Sequence, residues 1–442
     1  MLQRKKNIPF LLLTSVAFFI ITIHCKLGFN NPADPASLAF FKTNLVSTYL
    51  KSLIPQEIAL VDAEVPQFLA LLYQKPGEVG IKVWNVDPNS GQLTSTIGMQ
   101  AIPPNAPGNA PVILVRIPKT RELLSSSGGG VPTSFNNIYT YQIQDNGSVS
   151  VVGTSPEPLP NYITVNKAGS TNNVYISRGA SQVFLYTKDK STHILTQSPS
   201  VSYPFGTYCG PNSIVVNPTE KNIFVTNTAF APVSLSIYNQ DPSSGTVTIG
   251  SGSPLTLPAS PTSNDNINLH PTKNYVYTTI ANIAGPIIGF AYNQDSTATA
   301  IPGSPFTPSS SYSATNVSTR TLTIDPYGRF IAFVYSDASG NRLQLLKIDS
   351  STGALTPTGF PIGVGNAPNS LTWDESGRFI YFLSNTGGST NQQQLEIYKV
   401  SSTGELTPSP SSPTTLGAMG AFVPSGLASV TKTMKVKPGE YP

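Results

Sequence analysis

VWNVDPNSG (Val83–Gly91) is the first of seven copies of one phrase, an apolar-polar alternation that closes on an acidic or hydroxyl residue and runs into a Ser/Gly turn. The other six are TYQIQDNG (Thr140–Gly147), FLYTKDKS (Phe184–Ser191), SIYNQDPSSG (Ser236–Gly245), FAYNQDST (Phe290–Thr297), LLKIDSSTG (Leu345–Gly353) and YKVSSTG (Tyr398–Gly404). Aligned on the closing residue, Asp87, Asp145, Asp189, Asp241, Asp295, Asp349 and Ser401 recur at spacings of 44 to 58 residues. Alternation with period two makes each copy a strand. A repeat near fifty residues is the period of a propeller or solenoid, not of independent domains. The closing Asp has a plain role in such a unit: its carboxylate accepts backbone N–H groups two residues on, and the following Gly takes the left-handed position.

The unit around each copy divides into four strands. PNSLTWD (Pro368–Asp374) is followed by the turn Glu375-Ser376-Gly377, then by RFIYFLSN (Arg378–Asn385), LEIYKVS (Leu395–Ser401) and, after Thr403-Gly404, ELTPSP (Glu405–Pro410). Four short strands with tight turns are one propeller blade. The same order recurs at Asn212–Asn227, Ile267–Thr279 and Thr321–Ser336, so the sequence predicts an all-β, seven-bladed β-propeller of four-stranded blades over residues 58–442. The first copy begins at its second strand, QFLALLYQ (Gln67–Gln74), and PSGLASVTK (Pro424–Lys432) has the look of an innermost strand without a blade. Pairing the two closes the first blade with the C-terminal strand and removes an exposed edge. The second copy is irregular. Its innermost strand is hidden in the Pro-rich stretch Ile102–Pro111, and Arg121–Asn136 reads as a Ser/Gly-rich insertion, a surface loop of the kind that binds in repeat proteins.

Charged residues are 11% of the 442-residue chain, against a typical ~25%. The net charge of +4 is spread without a basic stripe, which excludes a nucleic-acid partner. Residues 1–24 have the order of an export signal: Arg4, Lys5 and Lys6 precede an apolar run from Ile8 to Ile23. Cys25 follows at once, preceded by Thr22-Ile23-His24, and the arrangement resembles a bacterial lipoprotein signal in which Cys25 is acylated. An ordinary signal peptide or an uncleaved anchor is the other reading. Residues 25–57 then form a tether and a short amphipathic helix, with Leu38, Phe41, Leu45, Tyr49 and Leu53 at three- and four-residue steps and Pro55 as the stop. Cys209 is the second of two cysteines and reads as a small buried apolar residue.

Three segments carry a family resemblance: the HP-x-x-x-YVY pattern of His270–Tyr277, DPYGRFIAFVY (Asp325–Tyr335) and IDSSTGALTPTGFPI (Ile348–Ile362). Together they resemble the seven-bladed propeller lactonases, the 6-phosphogluconolactonase-like family. The resemblance implies reactive residues where innermost strands enter the central channel, often in a Gly-Pro-Arg-His run. The matching window here is Ser318–Thr321, in which Arg320 keeps the Arg and Thr321 replaces the His. The same two positions in other units are Asn161-Tyr162, Asn212-Ser213, Asp265-Asn266 and Asn369-Ser370. The channel mouth is therefore expected to carry Asn161, Asn212, Asp265, Asn266, Arg320 and Asn369. Asp265 and Arg320 are the two charges of the set and the two catalytic candidates.

Opening a lactone needs a base for water and an electrophile for the developing oxyanion. None of the three histidines, His24, His193 and His270, falls at a channel position. No metal or cofactor set is expected either, because the Asp residues that close the third strands are spread over seven blades. Two functions from different classes follow. The favoured one is a monomeric, lipid-anchored propeller of the bacterial cell envelope, tethered through Cys25 and acting as a non-enzymatic binding or scaffold protein for a protein or small polar ligand. The alternative is a lactonase-like hydrolase of sugar-acid lactones at the channel mouth.

Overall fold

Phe68 to Tyr73 is a run of six consecutive buried side chains, and the two faces of this one strand go to different places. Phe68, Ala70 and Leu72 pack with Leu123, Tyr139 and Tyr141. Leu69, Leu71 and Tyr73 pack with Phe379, Tyr381 and Leu383. Alternate residues of a strand point to opposite faces, and a strand covered on both reads as a continuous apolar run.

The computed structural model describes residues 60–438 except 76–77, 103–110, 128–136, 157–159, 168–171, 179–181, 205–210, 228–233, 242–245, 258–265, 280–285, 309–320, 338, 387–391 and 419–422. The export signal, Cys25, the tether and the helix expected before residue 58 lie outside the described residues, as do Cys209, Asp265 and Arg320. Val61–Pro442 forms one compact unit.

Seven antiparallel sheets make up that unit. Their innermost strands are Val423–Val436 for blade 1 and Pro111–Arg116, Pro160–Val165, Pro211–Val216, Ile267–Leu269, Thr321–Ile324 and Asn366–Trp373 for blades 2 to 7. Each innermost strand neighbours the next, and Val423–Val436 meets both Asn366–Trp373 and Pro111–Arg116, so the ring closes. Each junction between blades holds its own apolar cluster. Blade 1 is completed by pairing Val61–Lys75 with Val423–Val436, in register at Ala70↔Ala428 and Leu71↔Leu427. The expected closure by the C-terminal strand is what the structure has.

All seven repeat phrases lie on third strands, and Asp87, Asp189, Asp295, Asp349 and Ser401 accept backbone N–H groups of the turns that follow, whereas in blade 2 Asn146 takes that part and Asp145 pairs with Arg121. Asp189 accepts the N–H groups of Ser191 (2.8 Å) and Thr192 (2.7 Å), and Asp349 those of Ser351 (2.9 Å) and Thr352 (2.8 Å). Gly353 follows at φ 77°, the left-handed region that favours glycine. Where the outer strand breaks in blades 4, 5 and 7, the hydroxyls of Ser253, Ser304 and Ser412 accept the third-strand N–H groups of Ile237, Gly289 and Ile397.

Blade 2 corrects one expectation. Its innermost strand is Pro111–Arg116, at the end of the Pro-rich stretch, and Glu122–Ser127 is its second strand. The insertion read as Arg121–Asn136 therefore begins inside the sheet. Its remainder, 128–136, lies outside the described residues. Serine hid the strand: it ends in Ser125-Ser126-Ser127, which lacks the apolar alternation that signals a strand, although Ser125 is itself buried.

Candidate functional site

Four antiparallel strands return the chain to the end where it started, so every innermost strand is entered from the same end of the ring. Asn161, Asn212 and Asn369 lie at or near those beginnings, within Pro160–Val165, Pro211–Val216 and Asn366–Trp373. Asn266 stands one residue before Ile267–Leu269. Its N–H donates to the Thr279 hydroxyl (3.1 Å), and its side-chain oxygen accepts from Asn268 Nδ2 (2.8 Å). Asn268 Nδ2 also donates to the Leu322 carbonyl on the next innermost strand (2.9 Å), so amides bridge blades 5 and 6 at the inner ring. Asp265 and Arg320 are each one residue before a described segment. The backbone thus brings four of the six expected positions to one end of the channel.

The opposite end is better defined, because the turns between first and second strands lie there. In blade 3, Asn166 Nδ2 donates to the Pro218 carbonyl (3.1 Å) and to Glu220 Oε1 (3.0 Å) in the corresponding turn of blade 4. Arg329 Nη2 in blade 6 donates to the Gly377 carbonyl of blade 7 (2.8 Å). Blade 1 has no such turn, since its first two strands come from opposite ends of the sequence. Arg116 of blade 2 spans the gap. Its Nη1 pairs with Glu375 of blade 7 (2.6 Å) and donates to Thr431 Oγ1 on the closing strand (3.2 Å), while its Nε donates to the Thr120 carbonyl (3.0 Å). Burial pulls the guanidinium below its usual pKa, against the opposing pull of Glu375, and burial pushes Glu375 up.

Both described histidines are committed to turns. His193 Nδ1 sits 2.7 Å from Glu122, which also pairs with Lys188 (2.6 Å). His270 faces Gly328 of blade 6. Residues 170–367 match the family model "Lactonase, 7-bladed beta-propeller".

The chain is a seven-bladed β-propeller that resembles the lactonase family over that stretch.

Solved structures agree with this lactonase-like fold. A candidate 6-phosphogluconolactonase from Bacteroides uniformis superposes with a TM-score of 0.63 at 15% identity, over 83% of this chain and 100% of that one. A periplasmic gluconolactonase of Pseudomonas aeruginosa gives 0.62 at 16% identity, over 84% and 99%. A hypothetical selenium-binding protein from Sulfolobus tokodaii gives 0.57 at 11% identity, over 86% and 96%, so the shared feature is the fold. No curated protein matches the chain.

Sequence reasoning missed the charged end of this lactonase-like propeller, where Glu64, Arg116, Lys119 and Lys432 gather around one cleft. Arg116 closes PVILVR, a continuous apolar run in which nothing marks the Arg as a site residue, because its partners Glu375 and Thr431 lie far away in the sequence.

Proposed function

We infer that this protein is a hydrolase of sugar-acid lactones, with its reaction at the end of the channel where the innermost strands begin. The observation that carries the reading is the lactonase family match over residues 170–367, which spans both Asp265 and Arg320. This weighs toward the enzyme over the non-enzymatic binding protein.

Chemistry divides the work among a few side chains. Asp265 takes a proton from water as it attacks the lactone carbonyl, and Arg320 holds the oxyanion of the tetrahedral intermediate. Collapse breaks the ring C–O bond, and the departing alkoxide takes from Asp265 the proton that came from water, leaving the open hydroxy acid and the free carboxylate base. The amides of Asn161, Asn212, Asn266 and Asn369 hold substrate hydroxyls by donating and accepting hydrogen bonds. The base is assigned to a carboxylate because His193 and His270 sit in turns, the first beside Glu122 and the second bonded to Gly328.

The test is turnover on a panel of aldonolactones, with Arg320→Ala and Asp265→Asn beside the wild type. Each variant is expected to lose at least ~100-fold in rate. Equal turnover in both variants removes Asp265 and Arg320 from the mechanism. No turnover on any lactone returns the protein to the binding class, the reading that the two committed histidines favour.

The same reading places the propeller at a bacterial envelope membrane through an acylated Cys25. It is supported by Arg4-Lys5-Lys6 ahead of the apolar run Ile8–Ile23. Intact-mass analysis of the membrane-extracted protein checks it: a mature chain that does not begin at lipidated Cys25 ends this part of the proposal.

A further inference from the structure

Blades 2 to 7 each have a turn joining first and second strands, and blade 1 has two strand ends instead. A cleft of about 360 Å3 occupies that place, lined by Glu64, Arg116, Lys119, Thr431, Lys432 and Thr433 among others. Its floor and walls come from blades 1 and 2, on the end of the ring opposite to the channel mouth.

The charges in this cleft do not balance internally. Arg116 is paired with Glu375, Arg121 with Asp145 and Glu122 with Lys188. Glu64 is held by hydroxyls: Thr431 Oγ1 donates to its Oε2 (2.6 Å) and Thr433 Oγ1 to its Oε1 (2.7 Å). Lys119 and Lys432 are exposed and have no ion-pair partner among the described residues, so two ammonium groups stand against the one carboxylate of Glu64 and leave the cleft with a positive excess. Arg116 adds a second, independent indication. Its side chain is only 8% exposed, and Nε and Nη1 are fully engaged, yet Nη2 has no acceptor among the described residues. A guanidinium that is nine-tenths buried and still keeps a donor pair unspent beside a cavity is arranged to receive an acceptor from outside the protein.

We propose that this cleft binds a small oxyanion, a carboxylate or phosphate group seated on Arg116 Nη2 and flanked by Lys119 and Lys432. The Gln142 amide, also on the lining, serves the neutral part of the ligand. The site is separate from the channel mouth and does not depend on what happens there.

Isothermal titration of the full chain with sodium phosphate and with sodium gluconate, at low ionic strength, tests the site and tells the two anion classes apart. The double variant Lys119→Gln/Lys432→Gln removes only exposed side chains and is expected to keep its thermal midpoint. Binding of at least one probe is expected, weakened about tenfold in the double variant and weakened again when salt is raised to about 0.3 M. The proposal falls if neither probe titrates up to about 20 mM, a range in which even millimolar affinity registers. It falls equally if the double variant binds as wild type does, which for gluconate would locate the ligand at the channel mouth.

Discussion

His270 Nε2 donates to the carbonyl of Gly328, 3.0 Å away in the next blade, while its Nδ1 accepts the backbone N–H groups of Thr272 and Lys273. Those two acceptor contacts assign the neutral ring with its proton on Nε2, and they leave no room for a second proton.

Protonation of His270 is therefore costly in the folded state. Burial holds its pKa below the ordinary value, while the Gly328 carbonyl and Asp325 pull the other way and Lys273 adds to the depression. An unfolded chain takes up that proton near pH 6.5, so the histidine's contribution is complete above that pH and declines as pH falls below it. Denaturant titrations of wild type and His270→Gln, compared between pH 7.5 and 5, are expected to show the wild-type advantage shrinking with acid, by up to about 1.4 kcal/mol per pH unit. A constant difference across that range contradicts this account.

Asp374 presents the opposite case. It is fully buried, and Oδ1 accepts the N–H groups of Arg378 (3.0 Å) and Phe379 (2.7 Å) while Oδ2 accepts that of Ser376 (3.0 Å) and the Ser376 hydroxyl. Burial outweighs these donors and pushes its pKa up to about 6. Its carboxyl resonance should titrate well above the usual carboxylate range. Because the folded-state value is raised, stability relative to Asp374→Asn falls as pH rises from about 4 to 6 and is level above that. At pH 7 the variant should still cost about 1–3 kcal/mol, since its amide nitrogen cannot accept from Ser376.

Lys188 and Glu122 join blades 3 and 2 with both side chains at most 10% exposed. Lys188→Ala leaves the carboxylate to His193 alone and is expected to cost about 3 kcal/mol. The pair Lys188→Met/Glu122→Leu should recover much of that loss, because an apolar pair of similar volume carries no desolvation penalty. Chemical denaturation of the three proteins reads the difference, and a double variant no better than Lys188→Ala refutes the prediction.

Removing residues 423–442 should abolish the cooperative thermal transition. The deletion takes Ala428 and Val430 out of one junction cluster and Leu427 out of the other, close to 2 kcal/mol for each large side chain, and strips Val61–Lys75 of its inner hydrogen-bonding neighbour. A truncated chain that melts as sharply as wild type would mean that the junction clusters contribute little.

Most of the architecture was legible because its signals are local and repeated. Third strands alternate cleanly and end in Asp or Ser turns, so seven copies were countable, and both halves of blade 1 could be paired from their apolar runs. Blade 2 resisted because its second strand ends in Ser125-Ser126-Ser127, a run without the apolar alternation that signals a strand. The charged cleft was out of reach for another reason. Glu64, Arg116, Glu375 and Thr431 come from four distant stretches, and nothing in their sequence neighbourhoods marks them as contacts. The channel-mouth amides were assigned by carrying the family's window across the repeats, and four strands per blade then bring the innermost strands in from one side.

Closure by Val423–Val436 also sets a timetable for biosynthesis. Val61–Lys75 emerges from the ribosome before any blade is complete, yet its hydrogen-bonding partner is among the last segments to be made. Until then a strand apolar on both faces waits with one neighbour missing, a contact of very long sequence separation that is slow to form and open to misassociation. A holding chaperone acting on the nascent protein would find its natural target at Phe68–Tyr73.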